Sequence, residues 1–258
     1  MTDLDEIVAA ARELAWAGRW QRALSLLDIT APAAAEADRF RIALTAAEVA
    51  LESDWFAGTG LAAARLAAAG RLGSHGDLDL LILRHDYWRL MHPGGTWSPG
   101  PDGKDPRQLD ELRDRAARLA ARAGDPVRHG WARMYQGLIA DNLLARPDQA
   151  VAHYAAALRA GEGTDPRLER EALRHLGDHD RDNGDLDAAY RRWARATELS
   201  SATGMLPGLL TQQILLAVLA RDNGDEAGAR MLAREIARSA GAAGVTRAYA
   251  QATALLAA

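Results

Sequence analysis

The sequence predicts an all-α protein built from repeated pairs of antiparallel helices. Alanine, leucine and arginine are abundant, β-branched residues are few, and no segment alternates apolar and polar residues as a strand does. The five residues 181–185 recur letter for letter as residues 221–225, forty positions later. An identity at such a fixed period is typical of a repeated two-helix unit.

The clearest copy of this unit occupies residues 171–199. Asn183-Gly184 suits the end of a helix because both residue types tolerate the left-handed backbone that closes a last turn. Asp185 suits the start of the next helix, where its carboxylate accepts hydrogen bonds from free N–H groups. On both sides of this turn apolar residues share a helix face at steps of three and four, and Gly177 leaves room for a close neighbour. We predict that Trp193 is a buried packing residue of the second helix.

This pattern resembles the tetratricopeptide repeat (TPR) family. The matching positions are held by Leu173, Leu176, Gly177, Ala189 and Trp193. Asp180 stands where the family has an aromatic residue, Ser201 stands where it has a proline, and the period is about six residues longer. The resemblance covers nearly the whole chain. It implies a right-handed superhelical solenoid of about six antiparallel helix pairs with a C-terminal capping helix.

The turn signals place the helices in one continuous domain, residues 1–258. The predicted helices are 4–17 and 20–28, 34–53 and 60–69, 77–91 and 107–124, 127–144 and 148–159, a fifth pair opening at Pro166, 206–222 and 226–240, and a last helix 246–256 without a partner. Residues 92–106 contain four prolines and four glycines, so we expect an irregular insertion between the two helices of the third pair.

Composition excludes several classes of protein. The net charge of −4 and the isoelectric point near 6.0 argue against nucleic-acid or anionic-membrane partners. Lys104 is the single lysine among 31 basic residues, and the absence of cysteine excludes disulfides and thiolate chemistry. The acidic N-terminal residues are unlike a signal peptide, and no apolar run reaches transmembrane length, so we expect a cytoplasmic protein.

Polar and aromatic residues recur at a shared phase on three consecutive first helices, the helices that line the concave surface in the TPR family. Neighbouring helices pack about 8–10 Å apart, so these rows can form one patch. The predicted ligand-binding residues are His85, Trp88, His92, Trp97, His129, Arg133, Gln136, Arg174, Asp178 and Arg181. Trp97 lies in the insertion and is expected to fold back onto the His85/Trp88/His92 row. A solvated face without function explains the same residues.

Motifs for chemistry are weaker. His175, His179 and Asp182 have the spacing of metal ligands, but Leu176 replaces the glutamate of a zinc-protease motif. Solvated or ion-paired histidines explain the same spacing, and we predict no metal and no cofactor. The glycines at 94–95 and 161–163 lack the strand and lysine of a phosphate-binding loop. The run Arg191, Arg192 and Arg195 is expected to be a solvated helix face, and no catalytic residue is identified.

Two function classes remain open. The first, implied by the TPR resemblance, is an interaction module that holds a protein or peptide partner in its concave groove. The alternative is a small-molecule-binding protein, a sensor or enzyme of a bacterial pathway, with a pocket roofed by the 92–106 insertion; its forty-residue period is similar to that of helical sensor regions in large bacterial transcription regulators. An open groove favours the first class, and a closed pocket touching the insertion favours the second.

Overall fold

A computed structural model describes residues 4–257, and all regular secondary structure in this range is helical. The prediction of an all-α protein is therefore confirmed. The α-helices of this range, numbered α1 to α13, are Leu4–Trp16, Trp20–Thr30, Glu36–Ala57, Ala62–Leu72, Gly76–Met91, Pro106–Arg122, Pro126–Leu138, Pro147–Gly161, Pro166–Asp182, Leu186–Ala202, Leu206–Asp222, Glu226–Ala243 and Thr246–Ala257. Short 3₁₀ turns occupy Ala31–Ala33 and Pro93–Gly95. None of these helices is both long enough and apolar enough to cross a membrane.

The helices begin at the caps that the sequence predicts. Asp125 accepts a hydrogen bond from the N–H of Arg128 at 2.9 Å, and Pro126 is the first residue of α7. Asp185 caps α10 in the same way, through the N–H of Ala188 at 2.9 Å. The insertion lies between α5 and α6 as expected and holds no regular structure beyond the 3₁₀ turn.

The chain divides into two compact units. Unit 1 comprises Met1–Ser74 and Ser200–Ala258, and unit 2 comprises His75–Leu199. Within unit 2, each helix from α5 to α10 packs against the next helix in the sequence. The first helices α5, α7 and α9 also contact one another in turn, with α7 in the middle.

Two glycines explain how the helix pairs of unit 2 pack. A Cβ atom added at Gly177 would lie 2.4 Å from Nε1 of Trp193, and one added at Gly137 would lie 2.5 Å from Cε1 of Tyr154. Each glycine of a first helix thus admits the aromatic ring of its second helix. Trp193 is only 1% exposed, which confirms its predicted packing role. The two glycines are forty residues apart, so this contact has the period of the repeat.

Unit 1 has one core to which both ends of the chain contribute. Buried residues of α1, α2 and α3 form a single cluster with those of α11, α12 and α13. The sequence predicts that α13 is a capping helix without a pair partner, and it packs on α11 and α12 with Ala248 and Ala252 fully buried. It also packs on α3. A repeat pattern predicts contacts between neighbours in sequence, so it could not indicate this contact.

A π-helical turn, Ile139–Leu143, continues α7 where the sequence predicts an uninterrupted α-helix over 127–144. The wider turn changes the direction of Asp141 and Asn142 relative to the rest of α7. It is followed by Ala145, whose φ of 52° is in the left-handed region that non-glycine residues rarely adopt. π turns are frequent at functional sites, so this turn directs attention to the side chains that it carries.

Candidate functional site

Asp141, at the centre of the π turn, joins three helices. Its Oδ2 accepts a hydrogen bond from the hydroxyl of Tyr154 on α8 at 3.1 Å and lies 3.0 Å from Nε2 of His179 on α9. Burial raises the pKa of Asp141, but the hydrogen bond and charge of His179 outweigh it and lower the pKa overall. The same contact raises the pKa of His179. The pair is therefore an ion pair when the imidazole is protonated.

His175 lies one turn before His179 and is buried. Its ring stacks on Tyr154 with 5.0 Å between centroids, and its Nδ1 is 3.4 Å from Oδ2 of Asp178. Burial, together with the charge of Arg174, lowers the pKa of His175 to about 3. Burial raises the pKa of Asp178 to about 6. The helix α9 thus presents a neutral imidazole beside a carboxyl group that titrates close to neutral pH.

These contacts correct the interpretation of His175 and His179 as solvated histidines, and His179 is instead paired with Asp141. His175 is 9% exposed, and the side chain of His179 is 14% exposed. Asp182, the third member of the considered metal set, is exposed. Across residues 4–257 no group of three or more His, Cys, Asp or Glu side chains is arranged to hold a metal ion.

Three residues that are not among the predicted site residues connect α5 to α7 and α9. Arg84 donates a hydrogen bond from Nε to the hydroxyl of Tyr135 at 3.1 Å. Its guanidinium carbon lies 5.7 Å from the ring centre of Trp131. The indole N–H of Trp131 donates to Asp165, the cap of α9, at 2.7 Å. The spacing of Trp131 and Tyr135, one helical turn apart, is the signal that could have identified them.

Asn142, the second polar residue of the π turn, connects it to α5 and to the insertion. Its side-chain NH₂ group donates to the hydroxyl of Tyr87 at 2.9 Å, and its backbone carbonyl oxygen accepts from the N–H of Gly100 at 2.7 Å. Tyr87 is buried, and its ring meets that of Tyr135 edge to face at 5.7 Å. The π turn therefore holds α5, α9 and the insertion in a fixed arrangement.

The insertion packs back on the end of α5, as the sequence predicts. The buried ring of His92 stacks on Trp88 at 5.0 Å and meets Trp97 at 5.3 Å, and Trp97 remains 57% exposed. Lys104 orders the loop by donating to the carbonyl oxygens of Ser98 and Gly100 at 2.7 and 2.6 Å. A small ammonium with three donors suits this tight turn better than a planar guanidinium does. This is a physical reason why a lysine stands here in a chain whose other basic residues are arginines.

The predicted residues of α7 do not face this network. Nδ1 of His129 lies 3.0 Å from the carbonyl oxygen of Ala120 on α6. Arg133 donates to Gln136 on its own helix at 3.2 Å, and burial together with the charge of Arg133 lowers the pKa of His153 on α8. His129 and Arg133 thus lie toward the second helices α6 and α8, and Gln136 contacts Arg133.

The remaining predicted residues belong to α5 and α9. His85 is half-buried, with Nδ1 3.8 Å from Oδ1 of Asp86. One guanidinium nitrogen of Arg174 lies 3.5 Å from Nε2 of His175, and Arg181 lies 3.9 Å from Asp182. The structure therefore brings Trp88, His92 and Trp97 together at one end of α5, and Arg174 and Asp178 together on α9.

The arginine run of α10 is ion-paired at two of its three positions. Arg192 lies 2.6 Å from Asp180, and Arg195 contacts Glu169 at 3.2 Å and Glu198 at 3.3 Å. This is consistent with the solvated helix face expected from the sequence.

We call the half-buried surface formed by Arg84, Trp88, Trp131, Asp141, Asp178 and His179 the first-helix face of unit 2. Its residues come from α5, α7 with the π turn, and α9. The sequence has no match among models of known protein families or among curated proteins.

Proposed function

We propose that the protein is a TPR-like interaction module in which the first-helix face of unit 2 binds a segment of another protein. In this proposal the three helix pairs of unit 2 wind as TPR-like repeats do, in a right-handed superhelix with the first helices on the concave side. The supporting observation is that three consecutive first helices carry half-buried aromatic and charged groups that are already hydrogen-bonded to one another.

The residue types on this face favour protein recognition. Trp, Tyr and Arg are enriched at the centres of protein interfaces, where each removes a large area from water while its polar end stays paired. Arg84 is held between Tyr135 and Trp131, and His179 is held by Asp141. Side chains that are ordered before binding lose little rotamer freedom on binding, so more of the contact energy appears as affinity.

The charges of the face predict the chemistry of the partner. Arg84 and Arg174 can pair with a carboxylate, whereas Asp178 and Asp141 can pair with a basic group. Because both signs lie on one face, we expect a peptide segment of mixed charge with an apolar or aromatic residue that rests on Trp131.

The small-molecule alternative, with a pocket roofed by the 92–106 insertion, receives less support. The insertion is bound to Met91 and Asn142 through backbone hydrogen bonds, Ser98 N–H to Met91 O at 2.9 Å and Gly100 N–H to Asn142 O at 2.7 Å. The cavity identified within unit 2 is lined by residues at the opposite end of α5, none of them from 92–106. A ligand roofed by the insertion would therefore need a different cavity.

Selection from a random-peptide library tests the proposal. Peptides enriched on the wild-type protein should bind at least about tenfold more weakly to Arg84→Gln and Asp178→Asn, because each loses a charge-assisted hydrogen bond. Arg159→Gln is the matched control, since Arg159 is exposed on a second helix. Trp97→Ala tests whether the insertion borders the same surface.

The proposal fails if no peptide family is enriched, or if the control weakens binding as much as the two face variants. Circular dichroism of each variant separates loss of binding from loss of folding.

A further inference from the structure

A cavity of about 370 Å³ lies at the end of unit 2 where α5 begins, α6 ends and α7 begins. The insertion and the π turn are at the opposite ends of these helices, and the cavity shares no lining residue with the first-helix face. Its volume is within the range of about 300–1,000 Å³ that is usual for small-molecule sites.

Four arginines line this cavity. Arg115, Arg118 and Arg122 lie on one face of α6 at steps of three and four, and Arg128 comes from the first turn of α7. Asp79 is the one acidic residue of the lining. The lining therefore carries an excess of positive charge in a protein whose net charge is −4.

Two of these guanidinium groups are already neutralised. Arg115 donates to Asp86 at 2.8 Å, and Arg128 lies 2.7 Å from Asp77 and 3.4 Å from Asp125. The Nε of Arg115 is buried without a hydrogen-bond partner, so the guanidinium group of Arg115 is held by Asp86 alone.

Arg118 and Arg122 are different, because within residues 4–257 neither makes an ion pair or a side-chain hydrogen bond. They are four residues apart on one helix, a spacing at which like charges repel. An anion held between them would remove that repulsion and pair with both guanidinium groups.

The floor of the cavity is apolar. Leu80 of α5, Leu119 of α6 and the buried Ala132 of α7 form part of the lining. A ligand that fills the cavity would therefore carry a charged head toward the arginines and an apolar body over these side chains.

We propose that this cavity binds an organic phosphate monoester with an apolar body. A phosphate monoester carries a charge of about −1.5 to −2 near pH 7, which matches the two unpaired guanidinium groups. Guanidinium forks also pair with phosphate oxygens in a bidentate geometry. The inference does not depend on the peptide-binding function, because the two sites share no residue.

Calorimetry with 1-naphthyl phosphate tests the proposal on the whole protein. We expect binding to the wild type, at least tenfold weaker binding to the double variant Arg118→Gln/Arg122→Gln, and weaker binding as salt rises. The matched control is Arg159→Gln/Arg191→Gln, which removes two exposed guanidinium groups from unit 2 outside the cavity. It should bind within twofold of the wild type.

Two comparison probes separate the contribution of the phosphate head from that of the apolar body. Inorganic phosphate presents the head alone and 1-naphthol presents the body alone, and both should bind at least tenfold more weakly than 1-naphthyl phosphate. The proposal is overturned if 1-naphthyl phosphate does not bind the wild type, if both double variants bind it equally, or if either comparison probe binds as tightly. Peptide binding should be unchanged in Arg118→Gln/Arg122→Gln, so the two proposals can fail separately.

Discussion

Gly177→Ala should destabilise unit 2 although alanine is the better helix former. The new Cβ would lie 2.4 Å from Nε1 and 2.6 Å from Cδ1 of Trp193, closer than non-bonded atoms approach. Trp193 cannot swing away freely, because it is 1% exposed and its indole N–H donates to the carbonyl of Arg174 at 2.9 Å.

The magnitude follows from three opposing effects. Overpacking in a core costs about 1–3 kcal/mol. Disturbing the indole hydrogen bond costs about 1 kcal/mol more. The higher helix propensity of alanine offsets about 1 kcal/mol of this loss of stability. The free energy of unfolding should therefore fall by about 1–3 kcal/mol.

Urea denaturation followed by far-ultraviolet circular dichroism measures this change. Gly70→Ala in α4 is the matched control, because a Cβ at that helical position has no neighbour within 4 Å. It should leave stability unchanged or raise it by up to about 1 kcal/mol. In a Trp193→Leu background, which removes the clashing aromatic ring, Gly177→Ala should cost less. If Gly177→Ala stabilises the wild type as Gly70→Ala does, the ring of Trp193 does not pack against α9.

Three further predictions concern single residues. His175 is neutral in the folded protein because its pKa is lowered to about 3 from 6.5, so the unfolded chain binds an additional proton and stability falls as pH falls below 6.5. His175→Phe keeps a ring against Tyr154 and should reduce the loss of stability between pH 6.5 and pH 5 by about 2 kcal/mol, measured by urea denaturation at each pH. Ala145→Gly should raise stability by about 1 kcal/mol by relieving the left-handed backbone, and an unchanged denaturation midpoint would contradict that strain. Lys104→Met should speed proteolysis within residues 92–106 with little change in melting temperature; equal cleavage rates would show that the ammonium does not order the loop.

The sequence was sufficient for the local structure because the local signals agree with one another. Asp125, Asp165 and Asp185 each cap a helix through hydrogen bonds to the next N–H groups, as aspartate before a helix predicts. The repeat predicts a packing role for Gly177 and another for Trp193, and the structure shows that these two residues pack against each other.

The candidate site was harder to predict because polar residues occur on more than one side of α7. Applying the residue spacing of α5 to α7 points to Arg133 as a site residue. In the structure it is Trp131 that contacts α5 and α9. The π turn shifts Asp141 onto His179, and no residue type in this stretch requires a π turn. The burial of His175 depends on Tyr154 of another helix, which spacing along α9 cannot indicate.

Indole N–H resonances give the most direct test of peptide binding by the first-helix face. The chain has seven tryptophans, and each contributes one indole signal to a ¹⁵N-labelled spectrum. Titration with a selected peptide should shift the signals of Trp131 and Trp88 on the first-helix face. The signals of Trp16, Trp20 and Trp55 in unit 1 should stay in place. Shifts confined to the tryptophans of unit 1 would contradict the proposed function.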